Sequence, residues 1–455
     1  MDNKKLAELI DGQVIGPEDP DYDGARAIYN GMIDRKPAAI VKCTNKKDVV
    51  NCINYARENN VEVSVRSGGH NGAGLALVSG GLVIDLSAMK AIEIDTASKT
   101  AVVQAGNTLT DIDTATHKYG LALPSGIYGG TGIGGITLGG GLGYLSRKAG
   151  LTIDNLLECK IILASGEEVT TNKDSYPDLF WALRGGGGNF GVVISFKFNL
   201  IAVKNVYAGP MFWPLEKAKE AMKFYDRITK DASDDLYGFF AFLVVPPSEP
   251  FPEHLHMKNV CGVVWNYTGP PEQAEEVFKP IREFGPPILD LVGELPMPVL
   301  NSMFDALYPS GLQWYWRAHY IKELSDEAIA TNIEFGSNLP TMLSGTHIYP
   351  IDGAVHRVAN SETAWANRDA RWAQTIVGVD PDPANADEIT NWCKNYFDAM
   401  APHAMGGAYV NFMMEEGQER IEMAYRENYE RLVEIKSKYD PDNFFHINQN
   451  IKPKN

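Results

Sequence analysis

A short glycine turn that ends in a histidine is the first segment whose residue types could do chemistry. A strand-like stretch, residues 61–65, leads into Arg66-Ser67-Gly68-Gly69-His70-Asn71. Backbone N–H groups in such a turn can cradle a diphosphate, glycine lets an anion approach closely, and Arg66 could add positive charge. Short glycine motifs are also common by chance. Taken alone, the segment fits an ordinary loop with a hydrogen-bonded histidine more readily.

A dense glycine run lies about sixty residues further along the chain. Ten of the eighteen residues from Gly126 to Gly143 are glycine. Each glycine costs about 1 kcal/mol in a helix interior, so the run predicts backbone that is not a regular helix and that turns sharply or lies close to another group. A second cluster occupies residues 185–188, and Asn448-Gln449-Asn450 lies further on. Neither a dinucleotide-binding βαβ context nor a P-loop accounts for these segments.

Two further segments complete the pattern, Leu179-Phe180-Trp181-Ala182-Leu183-Arg184 before the second glycine cluster and Tyr439-Asp440-Pro441-Asp442-Asn443 before Asn448. Together these motifs resemble the FAD-linked oxidases of the vanillyl-alcohol-oxidase superfamily, in the berberine-bridge-enzyme-like branch. The resemblance covers about half of the chain. It implies an α+β fold, in which residues 1–203 and 405–455 form a PCMH-type FAD-binding domain of two subdomains. Residues 204–404 would then form a substrate-binding domain, with an antiparallel sheet that is covered by helices and lies over the flavin.

The resemblance also implies how the cofactor is held. His70 matches the histidine that bonds covalently to the flavin 8α-methyl group. Tyr128 stands where many relatives carry a second, cysteine link, so FAD is expected to be bound through His70 only, as in the 6-hydroxy-D-nicotine oxidase type. Thr131 matches the position that gates oxygen, and it leaves oxidase and dehydrogenase both open. The implied cofactor-binding residues are Arg66, Ser67, Gly68, Gly69, His70, Asn71, Gly126, Tyr128, Thr131, Gly132, Gly135, Gly140, Gly141, Gly143, Val193, Asn448 and Asn450.

Candidate catalytic residues come from the same resemblance and from the aromatic middle of the chain. Tyr409 and Asn411 match a Tyr-x-Asn element beside the flavin, where Tyr409 would act as the base; the alternative is a tyrosine buried in sheet packing. His347 matches a position often near the active site. Residues 314–320 alternate, with Tyr315, Arg317 and His319 on one face of a strand and Trp314, Trp316 and Tyr320 on the other. One of these faces is expected to line the pocket, with Tyr315 as the catalytic candidate, and core packing is the alternative for each residue.

These residues predict an enzyme that oxidises a small molecule at a carbon bearing OH or NH, by hydride transfer to covalent FAD. A dehydrogenase with a non-oxygen acceptor, or a flavin-binding protein without turnover, stays open as the alternative. The expected partners are a small-molecule substrate and an electron acceptor, with molecular oxygen as one candidate. The sequence names neither the substrate nor the oligomeric state.

Composition excludes other classes of function. With 58 acidic and 41 basic residues the formal net charge is −17, and no Lys/Arg run offers a basic patch, so we expect neither nucleic-acid nor membrane binding. No apolar stretch approaches ~18 residues, and no signal peptide is recognisable. The five cysteines form no CxxC pair, so no metal site is expected, and free thiols favour the cytoplasm.

The elements that must position these residues follow an α+β pattern. Strand signals cover residues 38–41, 61–65, 81–86 and 192–198, and helical patterns cover residues 46–59 and 109–119. Beyond residue 204, helical patterns over 215–229 and 271–284 alternate with strands over 239–245 and 260–265. Residues 416–439 predict one long amphipathic helix.

Overall fold

The computed structural model describes residues 1–454, and its first sheet carries the His70 turn. That sheet follows the order β1-β2-β4-β3 and contains β1 (Gln13–Ile15), β2 (Ala39–Lys42), β3 (Val63–Arg66) and β4 (Leu82–Asp85). β2, β4 and β3 are parallel. Three helices accompany the sheet: α1 (Asn3–Ala7), α2 (Tyr22–Arg26) and α3 (Lys46–Glu58). Because β3 lies at the edge and ends at Arg66, the turn that starts at Ser67 leaves the sheet at its rim.

A second, antiparallel sheet follows and packs against the first. It has the order β5-β6-β10-β8-β9 and contains β5 (Ile92–Asp95), β6 (Thr100–Gln104), β8 (Leu156–Ile162), β9 (Glu168–Asn172) and β10 (Val192–Asn199). The connections hold β7 (Leu121–Ala122), which pairs with β11 (Ile201–Ala202), and the helices α4 (Leu109–His117), α5 (Ile133–Gly139), α6 (Ser146–Ala149) and α7 (Pro177–Leu183). Apolar side chains of both sheets share one core.

The middle of the chain forms a large antiparallel sheet with the order β15-β12-β14-β13-β18-β19-β17, and β16 pairs with β12. Its strands are β12 (Asn205–Pro214), β13 (Leu236–Val244), β14 (Asn259–Tyr267), β15 (Leu289–Asp290), β16 (Gly293–Pro296), β17 (Gln313–Ile321), β18 (Gly345–Pro350) and β19 (Trp372–Asp380). The helices of this part are α8 (Ala218–Asp231), α9 (Ala274–Glu283), α10 (Met297–Asn301), α11 (Asp326–Gly336) and α12 (Ala386–Met400). All but α10 pack their apolar faces on one side of the sheet.

The C-terminal helices return to the first two sheets. α13 (Gln418–Tyr425) and α14 (Tyr429–Tyr439) bury Ile421 and Leu432 in the same core as both sheets. A fully buried ion pair between Lys436 and Asp440 then fixes the turn into the last segment. We call residues 1–202 with 408–454 the glycine-rich half, and residues 205–400 the sheet half.

The expected architecture is confirmed, and two predicted elements are wrong. The glycine run contains a regular helix, α5, because tertiary packing around its buried Ile133 outweighs the poor helix propensity of glycine. The stretch 416–439 is two helices, interrupted at Arg426, whose φ of 49° lies in the left-handed region. The domain boundaries at 203 and 405 stay predictions.

Candidate active site

A large cavity lies between the glycine-rich segments and the face of the large sheet that α8, α9, α11 and α12 leave free. Its volume is about 830 Å³, which is within the range of small-molecule and cofactor sites. Most of the predicted site residues border it: Ser67, Gly68, Gly69, His70, Asn71, Gly126, Tyr128, Thr131, Gly132, Gly135, Val193, His347, Tyr409, Asn411 and Asn448. The fold therefore gathers motifs that lie as far apart in sequence as His70 and Asn448.

Six predicted site residues do not border the cavity, and Arg66 and Asn450 are two of them. Arg66 is buried in an ion pair, in which Nη2 lies 2.7 Å from Asp85 Oδ2, while Nη1 donates to the Ala25 carbonyl over 2.6 Å. The guanidinium thus joins β3 to β4 and to α2, instead of reaching an anion in the cavity. Asn450 lines a neighbouring groove.

Gly140, Gly141 and Gly143, in the second part of the glycine run, were predicted to bind the cofactor but do not border the cavity. Gly140, Gly141 and Gly143 pack inside the protein, and a Cβ on Gly143 would lie 1.9 Å from the Ser125 carbonyl oxygen. Gly141 has a φ of 84°, and its N–H donates to the Tyr409 hydroxyl over 2.7 Å. These glycines lie behind the cavity wall, where Gly140 and Gly141 contact Tyr409.

The prediction that Tyr315 lines the pocket is wrong. Strand alternation places it with Arg317 and His319 on the helix-covered side of the sheet, where Cys393 of α12 contacts its carbonyl. Trp314 and Trp316, on the other side, line the cavity. The alternation was correctly predicted, but the sequence did not show which face the helices would cover.

His70 sits in an aromatic surrounding. The Tyr29 ring stacks on the imidazole at 3.8 Å between centroids and 18° between planes, and the Tyr128 ring lies 5.1 Å away. Nε2 is buried and has no hydrogen-bond partner among residues 1–454. Burial lowers the pKa of His70 to about 4, so the imidazole is neutral at physiological pH and retains a nitrogen lone pair.

Close backbone contact explains the glycines beside this histidine. A Cβ on Gly68 would lie 2.4 Å from the backbone nitrogen of Gly132, and a Cβ on Gly132 would lie 2.3 Å from that of Gly68. Only two glycines let the His70 turn and the start of α5 touch in this way. The surface that they form exposes backbone to the cavity, as a site for a phosphate-bearing cofactor requires.

Tyr409 and Asn411 form a hydrogen-bonded pair at the cavity wall. The Tyr409 hydroxyl accepts bonds from Gly141 N and, over 2.8 Å, from Asn411 Nδ2. Asn411 Nδ2 also lies 3.2 Å from the Ile136 carbonyl of α5. Burial raises the pKa of Tyr409 to about 12, although the two donated bonds oppose that shift. The hydroxyl is therefore held firmly in its phenol form at neutral pH.

His347 faces the cavity from β18. Its Nδ1 shares a hydrogen bond of 2.9 Å with the Tyr349 hydroxyl, and its ring lies 5.3 Å from that of Phe239. Burial lowers the pKa of His347 to about 4, so it adds no positive charge to the cavity.

Within residues 1–454, no group of three or more His, Cys, Asp or Glu side chains is arranged to hold a metal ion. None of the helices in that part of the chain combines the length and the apolar character needed to span a lipid bilayer.

Comparisons with known proteins agree with this arrangement. Residues 37–172 match the family model described as FAD binding domain, and residues 408–452 match the one described as berberine and berberine like. Fold and site thus define an FAD-linked oxidoreductase. An FAD-linked oxidoreductase of Bacillus subtilis is 32% identical over 100% of this chain and 98% of its own. The (R)-6-hydroxynicotine oxidase of Paenarthrobacter nicotinovorans is 30% identical over 100% and 99%. The chain therefore belongs to the berberine-bridge-enzyme-like family of FAD-linked oxidoreductases.

Solved structures of 6-hydroxy-D-nicotine oxidase and of a berberine-bridge-enzyme-like protein have the same fold as this chain. The crystal structure of 6-hydroxy-D-nicotine oxidase from Arthrobacter nicotinovorans has a TM-score of 0.87 at 26% identity and covers 98% of both chains. A berberine-bridge-enzyme-like protein of Physcomitrella patens has a TM-score of 0.88 at 25% identity, over 99% of both chains.

Sequence reasoning missed Tyr29 as a neighbour of His70. It lies outside every motif and outside the matched range that begins at residue 37. Its contact with His70 spans 41 residues of chain, and no local periodicity reports such a contact. Asn189, whose side chain joins Gly186 to Gln449, was missed too, although its place directly after the second glycine cluster was a usable signal.

Proposed function

We propose that this enzyme oxidises a small molecule at a carbon bearing OH or NH, with FAD attached covalently through His70 alone. One observation carries the proposal: the candidate attachment residue His70 and the candidate base Tyr409 border the same cavity, opposite the free face of the large sheet. Bound FAD supplies a two-electron acceptor for hydride.

The residues around the cavity suit a single covalent link. His70 offers a neutral imidazole whose Nε2 has no hydrogen-bond partner among residues 1–454. Tyr128, and not a cysteine, occupies the position of the second link. Its hydroxyl donates to the Tyr308 carbonyl over 2.7 Å. All five cysteines are buried and lie outside the cavity wall. A thioether to the flavin therefore has no donor among them.

Tyr409 and Asn411 would handle the substrate proton. Two N–H donors point at the Tyr409 oxygen, so they stabilise negative charge when the phenol has lost its proton. Because burial opposes that charge, proton transfer must accompany hydride loss rather than precede it. Asn411 also ties the hydroxyl to α5, which fixes its position relative to the glycine-lined wall.

The lining favours a substrate that is uncharged when bound and mainly apolar. Among residues 1–454, no lysine or arginine borders the cavity, and its acidic member, Glu249, is exposed. The sheet side presents aromatic and aliphatic groups such as Phe239, Trp314 and Val377. An anionic substrate would lose its hydration without gaining a countercharge, which costs several kcal/mol.

Acid precipitation followed by flavin quantitation tests the cofactor part of the proposal. Wild-type protein should carry its flavin into the acid pellet, His70→Ala should release it, and His117→Ala, on α4 away from the cavity, should behave as wild type. Flavin that stays attached in His70→Ala would exclude His70 as the anchor.

Anaerobic bleaching of the bound flavin tests the reaction. Apolar aromatic alcohols and cyclic amines should bleach it, whereas carboxylate analogues of the same size should not. Mixing bleached enzyme with oxygen then separates an oxidase from a dehydrogenase. If no alcohol, amine or sugar bleaches the flavin, a binding protein without turnover is the better description.

A further inference from the structure

The segment Ile28–Gly31 ties the His70 turn to the large sheet, and we call it the clamp segment. Tyr29 N donates to the Gly69 carbonyl over 3.1 Å, and Gly311 N donates to the Tyr29 carbonyl over 2.9 Å. The Asn30 side-chain amide donates to the Gly72 carbonyl over 2.7 Å and to the Trp314 carbonyl over 3.0 Å. Both walls of the cavity are thus hydrogen-bonded to this one stretch of backbone.

Within the clamp segment, the Tyr29 ring is the group that touches the histidine. It stacks nearly parallel to the imidazole, and its other neighbours are Tyr128 at 5.6 Å and Trp314 at 4.9 Å between ring centroids. The hydroxyls of Tyr29 and Tyr128 both donate to the Tyr308 carbonyl, over 3.3 and 2.7 Å. The imidazole therefore lies between rings that are themselves anchored.

A histidine ring is usually oriented by a hydrogen bond to one of its nitrogens. His70 Nε2 is buried and has no such bond among the described residues, although the residue as a whole is only half-buried. Stacking on Tyr29 is the closest ring contact that the imidazole makes in the protein. Ring contacts of this kind stabilise one relative orientation of the two rings, beyond the effect of their buried area.

From this geometry we infer that Tyr29 is the positioning residue for covalent attachment of the flavin to His70. The inference rests on the proposed function, because it takes His70 as the anchor. Attachment forms one C–N bond and breaks a methyl C–H bond and an imidazole N–H bond. The two hydrogens and the electron pair stay on the flavin ring, and the electron acceptor of normal turnover reoxidises it. The part of Tyr29 is to hold the imidazole in one orientation while that bond forms.

The aromatic ring should matter more than the hydroxyl group, since the bond from Tyr29 to Tyr308 is long at 3.3 Å. Tyr29→Phe retains the stack and should attach flavin at the wild-type rate. Tyr29→Leu removes the stack, and Tyr29→Met removes it while filling similar space. A misplacement of about 1 Å can slow a reaction by up to ~10²-fold, so we expect attachment to slow roughly tenfold or more in both.

The rate is measured on the full chain, purified from riboflavin-limited cells, mixed with FAD and precipitated with acid at intervals. Total bound flavin and the melting temperature are recorded for each variant as well. The expected result is slow growth of acid-stable flavin in Tyr29→Leu and Tyr29→Met, with flavin uptake close to wild type, and full recovery in Tyr29→Phe.

Three results would overturn the inference: wild-type attachment rates in the Leu and Met variants, a Phe variant as slow as they are, or slowing that merely follows lost flavin uptake. If Tyr29→Leu does not fold, Tyr29→Met decides. His70→Ala separates the two proposals. Acid-stable flavin in that variant would show that His70 is not the attachment residue, which contradicts the covalent link of the proposed function, whereas the Tyr29 variants test only the positioning of His70.

Discussion

At the scale of single residues, the proposed base is the hydroxyl of Tyr409. Its two N–H donors come from Gly141, which lies behind the cavity wall, and from Asn411, which borders the cavity. Since burial raises its pKa to about 12, the fraction of phenolate below that pH grows roughly tenfold with each pH unit. A base of this kind gives a reaction that accelerates as the pH rises.

We therefore predict that Tyr409→Phe slows anaerobic flavin reduction roughly tenfold or more, the usual contribution of a positioned base being ~10²–10⁴-fold. The rise of the wild-type rate with pH should also flatten in the variant. Stopped-flow absorbance from pH 6 to about 10 measures both effects. Tyr237→Phe is the matched control, because that hydroxyl is buried without a partner among residues 1–454 and lies outside the cavity wall. Equal rates in wild type and Tyr409→Phe would leave Tyr409 as a packing residue.

At the scale of elements, the helix α5 shows why glycine is tolerated inside a helix here. A Cβ on Gly139 would lie 2.1 Å from Asn411 Oδ1, whereas a Cβ on Gly135 would meet nothing within 4 Å. Asn411 has little freedom to move away, because its amide group contacts both Tyr409 and Ile136. Gly135 and Gly139, two of the three glycines of α5, therefore differ in what surrounds them, not in intrinsic propensity.

This difference predicts opposite effects of the same substitution. Gly139→Ala should lower the free energy of unfolding of the apoprotein by about 1–3 kcal/mol, as overpacking does. Gly135→Ala should leave it unchanged or raise it by up to about 1 kcal/mol, since alanine is the better helix former. Urea unfolding followed by tryptophan fluorescence compares them. A Gly139→Ala protein as stable as the wild type would mean that Asn411 rearranges at no cost.

At the scale of the whole molecule, buried arginines join the two halves. Arg147 of α6 is 3% exposed, and its Nε lies 2.6 Å from Asp352 Oδ1. Its guanidinium also donates to the carbonyl of Thr229 in α8 and to that of Leu236 at the start of β13. Arg368 makes a similar connection to Asp154 through two bonds of 2.7 and 2.6 Å. The cavity lies between the parts that these contacts connect.

Replacing Arg147 by Met should lower the free energy of unfolding by about 3–5 kcal/mol, because the carboxylate of Asp352 and two carbonyls lose their donor in a buried place. Arg357→Met provides the control, since Arg357 pairs with Asp234 at the surface and such pairs contribute about 0–1 kcal/mol. Urea midpoints of the two variants are compared with the wild type. Similar small losses in both would show that packing, not this arginine, joins the halves.

Sequence by itself determined the family and the α+β architecture, and most of the site residues that it predicted border the cavity, because motifs such as the His70 turn are local and glycine spacing reports close backbone contact. The covalent link, the cytoplasmic location and the absence of nucleic-acid partners stay predictions. Only the tertiary structure decided that Trp314 rather than Tyr315 faces the cavity, since both faces of β17 carry large side chains and helix packing covers one of them. It likewise decided that Arg66 pairs with Asp85 and that Tyr29 stacks on His70. Such contacts join residues distant in sequence, and neither residue type nor periodicity encodes which distant group a side chain will meet.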